Sequence, residues 1–337
     1  MLDISILEKY DSQKIYKVYD NWPNLAKDAY FSVLESANFK KINHIIFAGM
    51  GGSGAIGDIF SSILSKSNIH VTLVKGYLLP KTIDENTLVI ITSVSGNTEE
   101  TQTILKSAVK LNCHILTFCG GGRIEQYCID NKINFRKLES IHSPRASFVI
   151  FVYSILNVLQ NILPITKNDI LSSIDSLYEM NKQISSENMS DTNPAINLAN
   201  WISGIPLIYY PYGLESAAIR FKSSLQENTK THVIIEDVIE SSHNGIVAWE
   251  TSSIVNPILL KGTDDHINTK ERFLIFEQYF KENKINFKII NSVNGNILTK
   301  IISLIYLFDY TTIYRAVLVN IDPSPVKSIN FIKHKLS

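Results

Sequence analysis

Short apolar runs alternate with amphipathic stretches along most of this chain. Residues 44–48, 69–74, 88–93, 114–118 and 134–138 are rich in Ile, Val, Leu and Phe and read as strands. Between them, residues 54–66, 99–111 and 124–130 place apolar positions at helical spacing. An apolar helix from Arg145 onward closes this half, behind a helical N-terminal arm. Strands that are apolar on both faces, alternating with helices, predict a parallel sheet covered on each side. The order then recurs. Residues 207–210, 232–235, 257–260 and 286–289 read as strands, and 214–226, 271–281 and 297–315 as helices. In the first of these helices Leu214, Ala217, Ala218, Phe221 and Leu225 share one face. A polar helix over 168–186 and a loop over 187–194 crowded with Asn, Ser, Asp, Thr and Pro separate the halves. The expected fold class is therefore α/β, with two doubly wound subdomains whose parallel sheets are flanked by helices. The expected limits are 1–165 for the arm and first subdomain, 166–194 for a helical linker, and 195–337 for the second subdomain and its tail.

Two loops carry candidate chemistry. In Gly49-Met50-Gly51-Gly52-Ser53-Gly54 a buried strand runs straight into a glycine-rich turn and then a helix. Such a turn lets backbone N–H groups approach an anion, and the positive end of the helix dipole favours negative charge there. The segment lacks the Gly-Lys-Ser/Thr of a P-loop. It fits Gly-x-Gly-x-x-Gly, but the second strand ends in Lys75 and Gly76, with no acidic residue to hold a ribose. Alternatively, the turn only packs helix on strand. The second loop is Ser93-Val94-Ser95-Gly96-Asn97-Thr98-Glu99-Glu100-Thr101. Ser93, Ser95 and Thr98 set three hydroxyls around a helix start, and Gly96 lets the chain turn among them. Hydroxyls, backbone N–H groups and the helix dipole bind phosphate without lysine. A plain N-cap accounts for one of those hydroxyls.

Composition changes this picture little. The chain of 337 residues is 45% hydrophobic and 19% charged, enough for a sizeable core. Lys+Arg and Asp+Glu are each 32, so nothing points to nucleic acid or to anionic lipid. Residues 146–165 are free of charge and reach the length of a bilayer span. Ser147, Ser154, Asn157, Gln160, Asn161 and Pro164 make a buried helix the better reading. Cys113, Cys119 and Cys128 fit free thiols rather than disulfides or a zinc site. The N-terminus does not read as a signal peptide, and a cytoplasmic location is expected. Asp264-Asp265-His266 reads as a capping loop, and neither a metal nor a cofactor is expected.

The two loops together resemble the SIS domain, a phosphosugar-binding α/β fold. Further segments are similar to the bifunctional phosphoglucose/phosphomannose isomerases, which carry two SIS subdomains. These are Pro144-Arg145-Ala146-Ser147, Glu227 at the end of a helix, Ser242-His243-Asn244, and Asp322-Pro323-Ser324-Pro325-Val326 followed by Lys333. The resemblance spans roughly residues 43 to 336. It implies that Glu227 is the catalytic base, that His243 opens the sugar ring from the neighbouring subunit of an obligate homodimer, and that Lys333 assists. It also implies that Arg145 stabilises charge on the intermediate.

Aldose–ketose isomerisation moves a proton between C1 and C2 through an enediolate, which needs one base with a pKa raised toward neutrality. Glu227 falls near the C-terminal end of its expected helix, where the dipole opposes negative charge. On position alone it reads as a surface glutamate paired with Lys230. Imidazole suits ring opening near neutral pH, though a loop histidine such as His243 is often merely solvated, and Lys333 has Lys335 close by. The expectation is a sugar 6-phosphate isomerase, acting on glucose 6-phosphate and also on mannose 6-phosphate. Gly52, Ser53, Ser93, Ser95 and Thr98 hold the phosphate, and Glu227, His243, Lys333 and Arg145 carry the chemistry. The rivals are another SIS enzyme of amino-sugar phosphates and a non-catalytic phosphosugar sensor.

Overall fold

The computed structural model describes residues 2–336, so the expected outer limits at Met1 and Ser337 lie outside the described residues. The chain divides into two units, each built on one parallel sheet.

One unit comprises Asn21–Ser176 and Gly295–Thr299. Its strands are β1 (His44–Ala48), β2 (His70–Val74), β3 (Thr87–Ser93), β4 (His114–Cys119) and β5 (Phe135–Lys137), in the order β2-β1-β3-β4-β5. β1 and β3 are buried throughout, which is why both read as unbroken apolar runs. Their side chains divide between two faces. On one face Ile46, Ala48, Val89, Ile91 and Cys119 pack with Ile104, Leu105 and Ala108 of the helix Glu99–Ala108, and with Ile124 and Cys128 of the helix Gly122–Asp130. Among the helices of the other face is Gly52–Leu64, where Phe47 and Phe60 stack with centroids 5.0 Å apart. A Cβ on Gly57 would come 2.9 Å from that of Phe47, so glycine permits the close approach. The charge-free run 146–165 forms the buried helix Phe148–Val158, which at 11 residues is too short to cross a bilayer. Burial of Cys119 pushes its thiol up to about 11.

The other unit comprises the residues up to Asp20, Leu177–Asn294 and the chain from Lys300 onward. Its strands are β6 (Ile205–Tyr210), β7 (Ile234–Asp237), β8 (Val255–Lys261) and β9 (Lys288–Asn291), all parallel in the order β7-β6-β8-β9. Both sheets thus have their second strand outside their first, the same winding. Tyr209, Leu259, Phe273, Phe276 and Phe280 form the core here, and Trp249 Nε1 donates to the Tyr209 hydroxyl at 2.8 Å. The N-terminal arm, expected to go with the first sheet, divides after Asp20. The reason is a ladder of tyrosines on the helix Ile297–Leu318. Tyr306 donates to the Tyr19 carbonyl at 2.6 Å, Tyr310 to the Asp20 carboxylate, and Tyr314 to the Ile184 carbonyl at 2.7 Å. The expected linker is mostly the helix Lys167–Ile184, and the helix Pro194–Trp201, capped by Asn193, follows it. Among the described residues Ile297–Leu318 is the one helix long and apolar enough to span a bilayer, and it is largely buried.

Away from the loops, at the amino ends of β1 and β2, His44 and His70 lie with ring centroids 4.9 Å apart. His44 Nε2 shares a hydrogen bond with Thr72 Oγ1 at 2.9 Å, and Thr87 Oγ1 donates to Asp84 at 2.9 Å. Burial, with a smaller push from His70, lowers the His44 pKa below its ordinary 6.5. The folded state therefore binds fewer protons than the unfolded one below that value, and stability is lost as pH falls from about 6.5. Replacing His44 by Gln is expected to flatten the fall of the urea midpoint between about pH 6.5 and 5, by up to about one proton's worth of slope. An unchanged slope contradicts this.

Candidate active site

The glycine turn begins where β1 leaves its sheet. Gly49 N–H donates to the Val74 carbonyl at 3.2 Å. A Cβ on Gly49 would lie 2.8 Å from the Ser53 carbonyl oxygen and 3.1 Å from that of Thr92. Gly51 takes a positive φ of 54° and serves as N-cap of the helix Gly52–Leu64, without a side-chain cap hydrogen bond. Gly52 lies close to the turn before the next apolar helix, for its Cβ would meet the Pro144 carbonyl at 3.3 Å and Arg145 N at 3.5 Å. The Gly-rich turn and the Pro144-Arg145 segment are thus neighbours, and Arg145 is buried at 5% exposure.

The hydroxyl turn follows β3 and sits beside the glycine turn, because β1 and β3 are paired neighbours. Their carboxyl ends form the point where the sheet's winding reverses, the place where open α/β sheets bind ligands. Ser53 Oγ accepts the Val94 N–H at 3.2 Å, which ties the two turns together. Ser53 was expected to face the phosphate. Here its oxygen braces the second loop, and its own proton is left to donate. Ser93 is buried and donates to Thr98 Oγ1 at 3.3 Å, while Ser95 Oγ is exposed and accepts the Asn97 N–H at 3.3 Å. Thr98 is the N-cap of the helix Glu99–Ala108 but makes no side-chain cap hydrogen bond. The plain capping alternative is therefore not what the structure shows, and neither helix start that follows the two turns has a side-chain cap.

Two features of this turn were not read from the sequence. Asn97 fastens the hydroxyl loop to the next helix, where its Oδ1 accepts the Arg123 N–H at 3.1 Å. Arg123 returns a hydrogen bond to the Asn97 carbonyl at 2.9 Å. Asp58, buried in the glycine-turn helix, holds Lys75 at 2.6 and 2.7 Å, and the lysine stem passes over Gly54. Burial raises the Asp58 pKa, and Lys75 opposes that rise. The clue available was Lys75 itself, standing where a ribose-binding acid is usual.

The second sheet repeats the winding without repeating the cradle. After β6 the helix Glu215–Ser224 carries Glu215 in its first turn. After β8, Asp265 accepts the Gly262 N–H at 2.7 Å, and Asp264 accepts Thr263 Oγ1 at 2.6 Å and pairs with Lys300. Carboxylates thus follow β6 and β8 where hydroxyls follow the strands of the first sheet, and the Asp264 charge is paired with Lys300. His266 caps the helix Ile267–Glu282 through Nδ1, accepting the Asn268 N–H at 3.2 Å.

Glu227 belongs to this unit. The single helix expected over 214–226 ends at Ser224 and continues as a π-turn, Leu225–Thr229, closed by Lys230 at φ 58°. Two side chains of the turn donate hydrogen bonds within the fold. Thr229 Oγ1 donates to the Leu225 carbonyl at 2.6 Å, and Asn228 donates to Thr312 Oγ1 at 2.7 Å. Such turns recur at functional sites. Beneath it lies a buried ion pair. Arg220 Nη2 meets Asp309 Oδ2 at 2.6 Å, Ser224 Oγ donates to Oδ1 at 2.6 Å and Tyr19 to Oδ2 at 3.1 Å. Burial opposes the Arg220 charge, but Asp309, with Glu227 adding to the same field, raises its pKa overall. Glu227 is half-buried at the edge of this network.

His243 is exposed. It follows the one-turn helix Val238–Ser241, which Asp237 caps by accepting from Ile239 N at 2.8 Å and Glu240 N at 3.0 Å. Lys333 is exposed in the expected tail, which here forms the helix Lys327–Leu336. Within their units, then, Gly52, Ser53, Ser93, Ser95, Thr98 and Arg145 share one sheet's loops, and Glu227, His243 and Lys333 belong to the other unit.

Comparison with known proteins agrees with this architecture. Residues 38–160 match the SIS domain, and residues 191–336 match the bacterial phospho-glucose isomerase C-terminal SIS domain. A bifunctional phosphoglucose/phosphomannose isomerase of Caldicellulosiruptor bescii is 28% identical over 96% of each chain. Another from Aquifex aeolicus is 26% identical, covering 96% of this chain and 98% of its own. The C-terminal domain of glucosamine-fructose-6-phosphate aminotransferase from Francisella tularensis superposes with a TM-score of 0.69 at 13% identity, over 92% of this chain and 98% of its own.

The geometry makes Gly96 a sharp test of the cradle. It sits at φ 65°, and a Cβ there would run into the Gly121 carbonyl. Gly96→Ala is expected to cost more than about 2 kcal/mol in urea unfolding and to abolish stabilisation by inorganic phosphate. Retained stabilisation by phosphate in that variant places the anion elsewhere.

Proposed function

We propose that this chain, which belongs to the bifunctional phosphoglucose/phosphomannose isomerase family, interconverts glucose 6-phosphate and fructose 6-phosphate through an enediolate, with mannose 6-phosphate as its second substrate. Ser93, Ser95, Thr98 and the turn at Gly52 and Ser53 hold the 6-phosphate. Glu227 removes the C2 proton of the open-chain aldose and returns it to C1. His243 moves the proton that opens the ring, Lys333 assists, and Arg145 stabilises charge on the enediolate oxygen. Glucose and mannose differ only at C2, so dual specificity requires reprotonation of the planar enediolate on either face. The observation that carries this reading is Glu227 itself, held by a π-turn over a buried ion pair in a chain whose other unit joins two uncapped helix starts through Ser53. The charged substrate and the three free thiols fit a cytoplasmic enzyme of sugar-phosphate metabolism.

Glu227→Gln is expected to lower kcat for both aldose phosphates by about 10²–10⁴-fold. Thermal stabilisation by fructose 6-phosphate should persist, since the cradle is untouched. Near wild-type turnover in this variant ends the proposed mechanism. A wild-type protein that is stabilised by the sugar phosphate but never turns it over is a sensor.

The exposure of His243 supports its donation to a second subunit. Glu227→Gln and His243→Asn chains, each inactive alone, should then regain activity when unfolded and refolded together. Random pairing of the two chains makes about half of the dimers mixed, each with one intact site of two, and so recovers about a quarter of the sites. No recovery in a mixed dimer assigns both residues to one chain.

A further inference from the structure

Lys230 has no part in the proposed reaction, yet it grips the segment that presents the base. It closes the π-turn in the left-handed region, φ 58°. Lys132 and Lys284 occupy the same region, so the backbone alone does not mark Lys230 out. Its side chain does. The ammonium donates to two backbone carbonyls, that of Glu227 and, at 2.8 Å, that of Pro325. Lys230 and Pro325 are 95 residues apart in sequence. Pro325 lies in a turn that is itself anchored, for Asp322 accepts the Ser324 N–H at 2.9 Å and the Ser12 hydroxyl at 2.5 Å. The helix that bears Lys333 starts at Lys327, just beyond this turn.

We propose that Lys230 is a positioning residue of the isomerase, a cationic clasp that fixes the peptide of Glu227 and ties it to the turn that launches the Lys333 helix. A peptide's orientation sets the direction in which its side chain leaves the backbone. Pinning the Glu227 carbonyl therefore aims the carboxylate. Charge assistance makes the clasp stronger than a hydrogen bond between neutral groups. The inference rests on the reading of Glu227 as the proton shuttle.

Lys230→Gly separates positioning from folding, because glycine is at ease in the left-handed region and keeps the helix end while removing the ammonium. The expected result is a fall in kcat of about 10- to 100-fold, with KM for fructose 6-phosphate within about threefold and no loss in Tm. Lys230→Arg, whose cation can span both carbonyls, should keep kcat within about threefold of wild type. Lys230→Asn, also tolerant of that backbone, replaces the glycine variant should the latter unfold. Wild-type kcat in the glycine or asparagine variant overturns the clasp. An arginine variant as impaired as glycine, or a loss of kcat that follows a loss of Tm, also overturns it. Glu227→Gln in the same assay keeps the two ideas apart. An active Glu227→Gln enzyme removes the base, whereas an inactive one beside a fully active Lys230→Gly enzyme removes the clasp alone.

Discussion

A side chain at residue 49 would stand 2.8 Å from the Ser53 carbonyl and 3.1 Å from the Thr92 carbonyl. Both values are below van der Waals separation, so the backbone at the carboxyl ends of β1 and β3 is packed as tightly as glycine allows. That closeness lets Ser53 reach the Val94 N–H and lock the two turns into one unit. Neither of the helices that follow, starting at Gly52 and Glu99, has a side-chain cap. An anion there meets helix dipoles, backbone donors and hydroxyls at once. Loosening the approach would separate these donors, and the nearby Lys75 is engaged by Asp58.

The chemical half of the proposal depends on a different constraint. Burying Arg220 and Asp309 is costly unless every lone pair and proton is used. Ser224 and Tyr19 add two more hydrogen bonds to Asp309. The π-turn follows Ser224 directly, so Glu227 stands three residues from this pair's shell. A base that must take a proton from C2 and return it to C1 gains from fixity, because small displacements of a catalytic group are expensive.

The chain has two sheets of one winding, but only one binds phosphate in this reading. The difference is local. Ser93, Ser95 and Thr98 surround the first switch point, whereas Glu215, Asp264 and Asp265 surround the second. Carboxylates in place of hydroxyls change the chemistry of the loops while leaving strands and helices alone. In the proposed mechanism the second unit supplies Glu227, His243 and Lys333 instead.

The strands, most helices and the two loops could be read from the chain because their causes are local. Buried parallel strands must be apolar on both faces, and a tight turn between strand and helix must be glycine. The role of Glu227 came from resemblance, since position alone made it a surface residue. Other features had no local signal. The π-turn depends on Asn228 finding Thr312, 84 residues away. The allegiance of the N-terminal arm depends on tyrosines of the helix Ile297–Leu318. The Lys230 clasp depends on Pro325. Periodicity reports which face of an element is buried and cannot report which distant polar group will meet it. The sequence by itself therefore determined the elements, their alternation and the chemical character of both loops. Only the tertiary structure decided how polar groups far apart in the chain pair, because that pairing is set when the elements pack.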